Sequence, residues 1–182
     1  MINSKRKGAK GEQVDLVAQG GDDMRHTVLD ACCGSRMFYF DKEDNRVLYC
    51  DNREELTTLC DGRKLIVRPD MHIDFRNMPF ADSAFRLVIF DPPHLLRAGE
   101  KSWLRLKYGV LPKNWQTYIR EGFDECWRVL QEGGTLVMKW STDQIPATDM
   151  LKAIGQRPLI GDKRGKKRWY VFFKGRFNYE EN

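Results

Sequence analysis

Short apolar runs that end at or near a carboxylate recur along this chain, and they leave room for little besides strands and their connections. TVLDACC, RVLYC, MHIDF, FRLVIFD and TLVMKW are strand-length, mostly apolar and bounded by turn or charged residues. Strands buried on both faces read this way, because crossover connections cover both sides of a parallel sheet. RPLIG and KRWYVFFKG supply two more strands. Between the runs, RMFYFDKE, REELTTLCD, NWQTYIREGFDECWRVLQEGG and IPATDMLKAIG read as helical. The longest places Trp115, Tyr118, Ile119, Phe123, Cys126, Trp127 and Leu130 on one face, with Asn114 as its N-cap and Gly133-Gly134 as its stop. Alternating units of this kind predict a single α/β domain.

A chain of 182 residues suits one domain, and 41% hydrophobic with 31% charged residues suits a soluble one. No apolar run approaches the ~20 residues of a membrane helix. MINSKRKGAKGEQ is basic without an apolar region behind it, so a cytoplasmic protein away from membranes is expected. The five cysteines are an odd number without CxxC spacing. Neither a metal site nor a disulfide framework is expected, and Cys32, Cys33, Cys50 and Cys126 read as small core hydrophobes. The net charge of +5 is uneven. Basic residues crowd a polar arm at 1–25 (Lys5, Arg6, Lys7, Lys10), the stretch from Arg97 to Lys113, and GDKRGKKRWYVFFKGR near the end. The domain is bounded at 26–176, with a tail at 177–182. Basic clusters interleaved with aromatics suit a phosphate backbone, and a solvated surface is the alternative.

Ligands of an open parallel sheet bind at the carboxyl ends of its strands. Here those ends carry Asp30, Asp51, Asp74, Asp91 and Trp140. One such aspartate reads as a helix cap; four in register suggest a shared ligand. After Asp30, the turn Ala31-Cys32-Cys33-Gly34 is expected to open a short helix at Gly34 and bring backbone N–H groups to a ligand. Asp51 and Asn52 lie about 20 residues on, where a dinucleotide-type fold sets an acid against ribose hydroxyls. Asp74 and Phe75 suit an adenine amino group and ring face.

The series LDACCGS, YCDN, IDFRNMPFADSAFRLVIFDPPH and GGTLVMKW resembles the class I S-adenosylmethionine-dependent methyltransferases over residues 27–174, in the compact stand-alone form common in phage and prophage genomes. The resemblance implies a Rossmann-like α/β fold: a mostly parallel seven-stranded sheet, helices on both faces and an antiparallel last strand. It also implies S-adenosyl-L-methionine as cofactor, leaving as S-adenosyl-L-homocysteine. Asp30, Ala31, Cys32 and Gly34 would lie by the methionine moiety, Asp51 and Asn52 by the ribose, Asp74 and Phe75 by the adenine, and Asp91 beside the cofactor. The family's DxGxGxG turn is here DACCGSR, with Cys32 and Arg36 at two glycine positions. FDPPH is similar to the D/N/S-P-P-aromatic motif of enzymes that methylate planar exocyclic or amide nitrogens, whose lone pairs are delocalised. On that pattern Asp91, Pro92, Pro93 and His94 are catalytic. Asp91 and the Pro92 carbonyl accept the two N–H hydrogens, and the prolines fix the acceptors in place. His94 stacks on a base or merely caps a backbone group.

Residues 95–114 make a long connection, which reads as a lid on the substrate side. Arg97, Lys101, Trp103, Arg105, Lys107 and Tyr108 would stack on a base and meet phosphates, with Trp140 at the adjoining strand end; a satellite core under the loop is the other reading. The expected acceptor is adenine N6 in RNA or DNA, so nucleic acid is the expected partner. A protein glutamine amide or a small metabolite is the alternative within the same chemistry. A non-catalytic nucleic-acid-binding partner is the alternative outside it.

Overall fold

The computed structural model describes residues 27–59, 61–99 and 102–175. The basic arm at 1–25 and the tail at 177–182 lie outside the described residues. In chain order the elements are β1 (Val28–Asp30), β2 (Val47–Asp51), β3 (Glu55–Thr58), β4 (Lys64–Val67), β5 (Met71–His72), β6 (Phe85–Phe90), α1 (Trp103–Tyr108), α2 (Trp115–Val129), β7 (Leu130–Ser141), α3 (Ala147–Ile154), β8 (Ile160–Gly161) and β9 (Lys167–Phe173).

Seven strands form one sheet in the order β5-β2-β1-β6-β7-β9-β8. The first five are parallel, β9 runs antiparallel to β7, and β8 pairs antiparallel with β9. This is the expected Rossmann-like α/β architecture. Strand order departs from β1 in both directions, β2 to one side and β6 to the other, so a switch-point crevice opens above the carboxyl end of β1.

Hydrophobic spacing explains the helix layer. Ile119, Phe123, Cys126 and Val129 of α2 are fully buried on one stripe, which packs on β6 and β7 and beside α3. The helix stops at Val129, short of the expected Gly133-Gly134. Lys174 Nζ donates to the Trp127 and Leu130 carbonyls at 2.7 and 2.6 Å, satisfying groups the helix end leaves open. The QEGG segment instead forms the irregular start of β7, and the register against β6 shifts between Phe85 and Leu87. Asn114 holds the N-cap position of α2 without a side-chain capping bond.

The helices expected over RMFYFDKE and REELTTLCD are replaced by turns and by a β-hairpin. Strand β3 pairs with β4 from Glu55↔Val67 to Thr58↔Lys64, around a turn that uses Gly62 at φ 83°. The pair Thr57-Thr58 favours a strand, Asp61-Gly62 favours the turn, and KLIV alternates exposed and buried as a half-buried strand does. Leu59, Leu65 and Val67 form their own small cluster beneath it. On the face of β1 and β2 that bears Val28, Val47 and Tyr49, Cys33 and Tyr39 provide the packing. Among the described residues no helix is long and apolar enough to cross a membrane.

Candidate functional site

Asp51 closes β2 at the switch point with 2% exposure, so its oxygens must be satisfied locally. Its Oδ2 accepts the Gly34 N–H at 2.9 Å. Its Oδ1 accepts the Arg53 N–H at 3.0 Å and Arg53 Nε at 3.2 Å. A longer 3.5 Å contact from Arg53 Nη2 takes the remaining side of Oδ2. Arg53 also reaches across the crevice, where Nη1 donates to the Leu106 carbonyl of α1 at 3.3 Å.

The turn after β1 differs from the expected helix-opening loop. Its N–H groups are used internally: Ala31 to the Ile89 carbonyl, Cys32 to Asp30, Cys33 to the Cys50 carbonyl and Gly34 to Asp51. No helix follows, because the chain turns back at Gly34 (φ 51°) and again at Arg36 (φ 52°). Arg36 therefore keeps a left-handed backbone, a conformation that glycine adopts most readily. Its side chain holds the conformation, lying 3.8 Å over the Tyr49 ring and donating to the Lys42 and Arg68 carbonyls and to Asp70.

Asp91 follows directly on β6, and the parallel register with β7 sets it beside Lys139. Lys139 Nζ donates to Asp91 Oδ2 at 2.5 Å, while Oδ1 is buried without a hydrogen-bond partner. His94 Nδ1 is buried and unpartnered as well. Burial holds the His94 imidazole below its usual range, with the Asp91 carboxylate pulling the other way. His94 as a whole is 9% exposed, its ring wedged between Tyr108 and Trp140 at 5.3 and 6.3 Å, and little of its face is left for a base.

Phe75 and Tyr118 line the same crevice, in edge contact at 5.2 Å. A Cβ on Gly122 of α2 would sit 2.5 Å from Phe75, so the glycine is what lets this ring lie against the helix.

Of the residues expected from sequence, Cys32, Gly34, Asp51, Asn52, Phe75, Asp91, Pro92, Pro93, His94 and Tyr108 line this one crevice. Others stand apart. Asp30 lies fully buried beneath it, accepting from Tyr39 Oη at 2.8 Å; desolvation pushes its carboxyl up to about 7. Ala31 is buried beside it. Asp74 is tied at 2.6 Å to Arg76, whose guanidinium lies over the Tyr118 ring, and is not among the residues lining the crevice. Arg97 is held by its backbone to Gln144, and Trp103 sits exposed on α1. Trp140, expected to meet substrate, is instead fully buried: its indole donates to the Ile145 carbonyl at 3.2 Å, so the ring packs under His94 and cannot stack on a ligand. Lys107, expected on the substrate side, lines the crevice too; Phe38, Arg53 and Tyr118 join it without having been expected there, and Lys139 stands behind Asp91. A lysine between Met138 and Trp140 reads as an ordinary outward strand position until the β6–β7 register is known.

No family model and no curated protein matches this chain. Among solved structures, it is similar to the PH0226 protein of Pyrococcus horikoshii OT3, at 16% identity and TM-score 0.49 over 82% of each chain. It is similar to a SAM-dependent methyltransferase of the DUF858 family from Leishmania major, at 10% identity and TM-score 0.45, over 79% of this chain and 63% of that one. It is similar to the cyclase SpnF at 17% identity and TM-score 0.39, over 74% of this chain and 53% of that one. The chain spans less than two thirds of the length of the last two.

Proposed function

We propose that this protein is an S-adenosylmethionine-dependent methyltransferase that acts on a planar amino nitrogen, with adenine N6 in RNA or DNA as the acceptor. The observation that carries the reading is the buried, unpartnered Oδ1 of Asp91. It stands at a strand end before two prolines, in the same crevice as Asp51 and Phe75. A buried carboxylate oxygen without a donor is costly, and an amine N–H of a bound acceptor would satisfy it.

The residues fit the donor. Asp51 retains an acceptor site on Oδ2 once the long Arg53 contact yields, which suits a ribose hydroxyl. Tyr118 offers its ring to an adenine, and Phe75, 4% exposed, backs it as part of the crevice wall. Asp74 would reach the adenine amino group only with the oxygen capacity that its bond to Arg76 leaves. The bound donor supplies an electrophilic methyl group on a sulfonium.

The chain's own residues prepare the acceptor. Asp91 Oδ1 accepts one N–H and the Pro92 carbonyl the other, which favours the pyramidal nitrogen whose lone pair can attack. As the nitrogen–methyl bond forms and the methyl–sulfur bond breaks, the surplus N–H proton passes to Asp91 Oδ1 and from there to solvent. Pro92 and Pro93 fix these acceptors, and Lys139 on Oδ2 fixes the carboxylate, so little reorganisation accompanies transfer. Tyr108, beside His94, supplies the stacking surface expected of His94 itself.

Incubation with labelled methyl donor and separate pools of RNA, DNA, protein and metabolites tests the reading. The product expected is N6-methyladenine, identified by mass after nuclease digestion. Asp91→Ala should abolish transfer with donor affinity changed only a few-fold, because the loss lies in turnover. Lys139→Met should also lower turnover per folded molecule, with partial return in Lys139→Arg; a purely structural lysine would lower the melting temperature alone. Label in protein or metabolite replaces the acceptor. Donor binding without transfer to any pool indicates the non-catalytic alternative.

A further inference from the structure

A second concavity opens beside the crevice, between the β3–β4 hairpin and the turn segment 34–43, and shares Gly34, Ser35, Met37 and Lys107 with it. We propose that this groove binds the phosphodiester backbone of a single-stranded nucleic acid whose target base enters the crevice. The proposal rests on the methyltransferase reading for what the base does there, and on the groove's own chemistry for the strand.

The charge is one-sided. Arg36, Lys42, Arg63, Lys64, Arg68 and Lys107 line the groove, against Glu43 and Asp70. Arg36 takes up both acids, at 3.5 and 2.9 Å. Among the described residues, no carboxylate lies in ion-pair reach of Lys42, Lys64, Arg68 or Lys107. Three of these, Lys42, Lys64 and Arg68, are exposed. Positive charge left unpaired along a concave wall attracts a polyanion.

The apolar residues are placed between the cations. Alternation along the hairpin sets Lys64, Ile66 and Arg68 on its outer face, with Leu65 and Val67 buried behind. Ile66 is 49% exposed and, across the groove, Met37 is 48% exposed. Cations flank this apolar surface, so a strand's phosphates can meet the cations while its bases cover Ile66 and Met37. Continuity with the crevice favours this occupant over an acidic protein segment, since a base turned off the strand reaches Asp91 without leaving the surface. Lys107, which lines both cavities, stands at the junction, 5.2 Å from the Tyr108 ring.

The test is fluorescence anisotropy of labelled single-stranded oligonucleotides, in RNA and DNA arms, titrated at several salt concentrations. Lys64→Glu/Arg68→Glu is compared with wild type and with Lys152→Glu on α3. The double variant should bind at least about ten-fold more weakly, and its log–log salt slope should fall by about 0.7 per lost phosphate contact. Donor affinity and the identity of the methylated base should not change, because phosphate contacts position rather than specify. Equal loss in Lys152→Glu, affinity and slope within two-fold of wild type, or no salt-sensitive binding by wild type would overturn the groove. Poly-glutamate binding as tight as the oligonucleotide would overturn the nucleic-acid assignment. Label transferred only to protein or metabolite overturns the enzyme reading independently of these binding results.

Discussion

Asp30 and Asp91 are both aspartates at the ends of adjacent strands, yet their surroundings give them different work. Asp30 is enclosed, and desolvation pushes its carboxyl up to about 7 against the opposing bonds from Tyr39 and Cys32. The folded protein therefore holds a proton there that the unfolded chain releases near pH 4. Between those values the folded state binds more protons, so stability from this group is complete at low pH and is lost as pH rises towards 7. Asp30→Asn should flatten that part of the melting-temperature profile and raise the curve at neutral pH. An unchanged profile would show that Asp30 is ionised in the fold. Asp51 and Asp91 were legible in the sequence because an acid at the end of an apolar run has few structural uses. Asp30 followed the same pattern, but sequence could not show that Tyr39 closes over it. Lys139 was illegible because its partner is fixed by the pairing of β6 with β7.

At the scale of elements, the sheet and α2 were written in local pattern, and the hairpin was not. The apolar runs gave the strands, and the one-sided stripe of α2 gave its buried face. REELTTLCD carries charges that suit a helix surface, and its strand character depends on KLIV pairing across the Asp61-Gly62 turn. The contact between α2 and Phe75 was equally hidden, since a glycine inside a helix has no side chain to advertise it. Gly122→Ala should force Phe75 and Phe90 to move, because an added Cβ would lie 2.5 and 2.9 Å from them. Overpacking of this kind costs about 1–3 kcal/mol. If Phe75 forms the adenine wall, donor affinity should fall more than the loss of folded protein accounts for. Calorimetry on folded protein separates the two, and a stability loss with normal affinity would remove Phe75 from the donor site.

For the molecule as a whole, the bond set of Arg53 has a consequence for how two ligands bind together. One guanidinium touches Asp51 and the carbonyl of Leu106 in α1, so under the proposed function a donor at Asp51 and an acceptor at α1 would share one residue. A ligand that draws Asp51 away from Arg53 alters the restraint on α1, and by thermodynamic reciprocity an acceptor that shifts α1 alters donor affinity by the same factor. Donor and acceptor binding should then be coupled in wild type, with the affinity of S-adenosyl-L-homocysteine differing in the presence and absence of oligonucleotide. Arg53→Met should bring the two values together. Persistence of the difference in that variant would assign the coupling elsewhere. In wild type the sign of the difference says how the two sites act on each other: positive coupling makes each ligand bind more tightly in the presence of the other, and negative coupling makes each weaken the other.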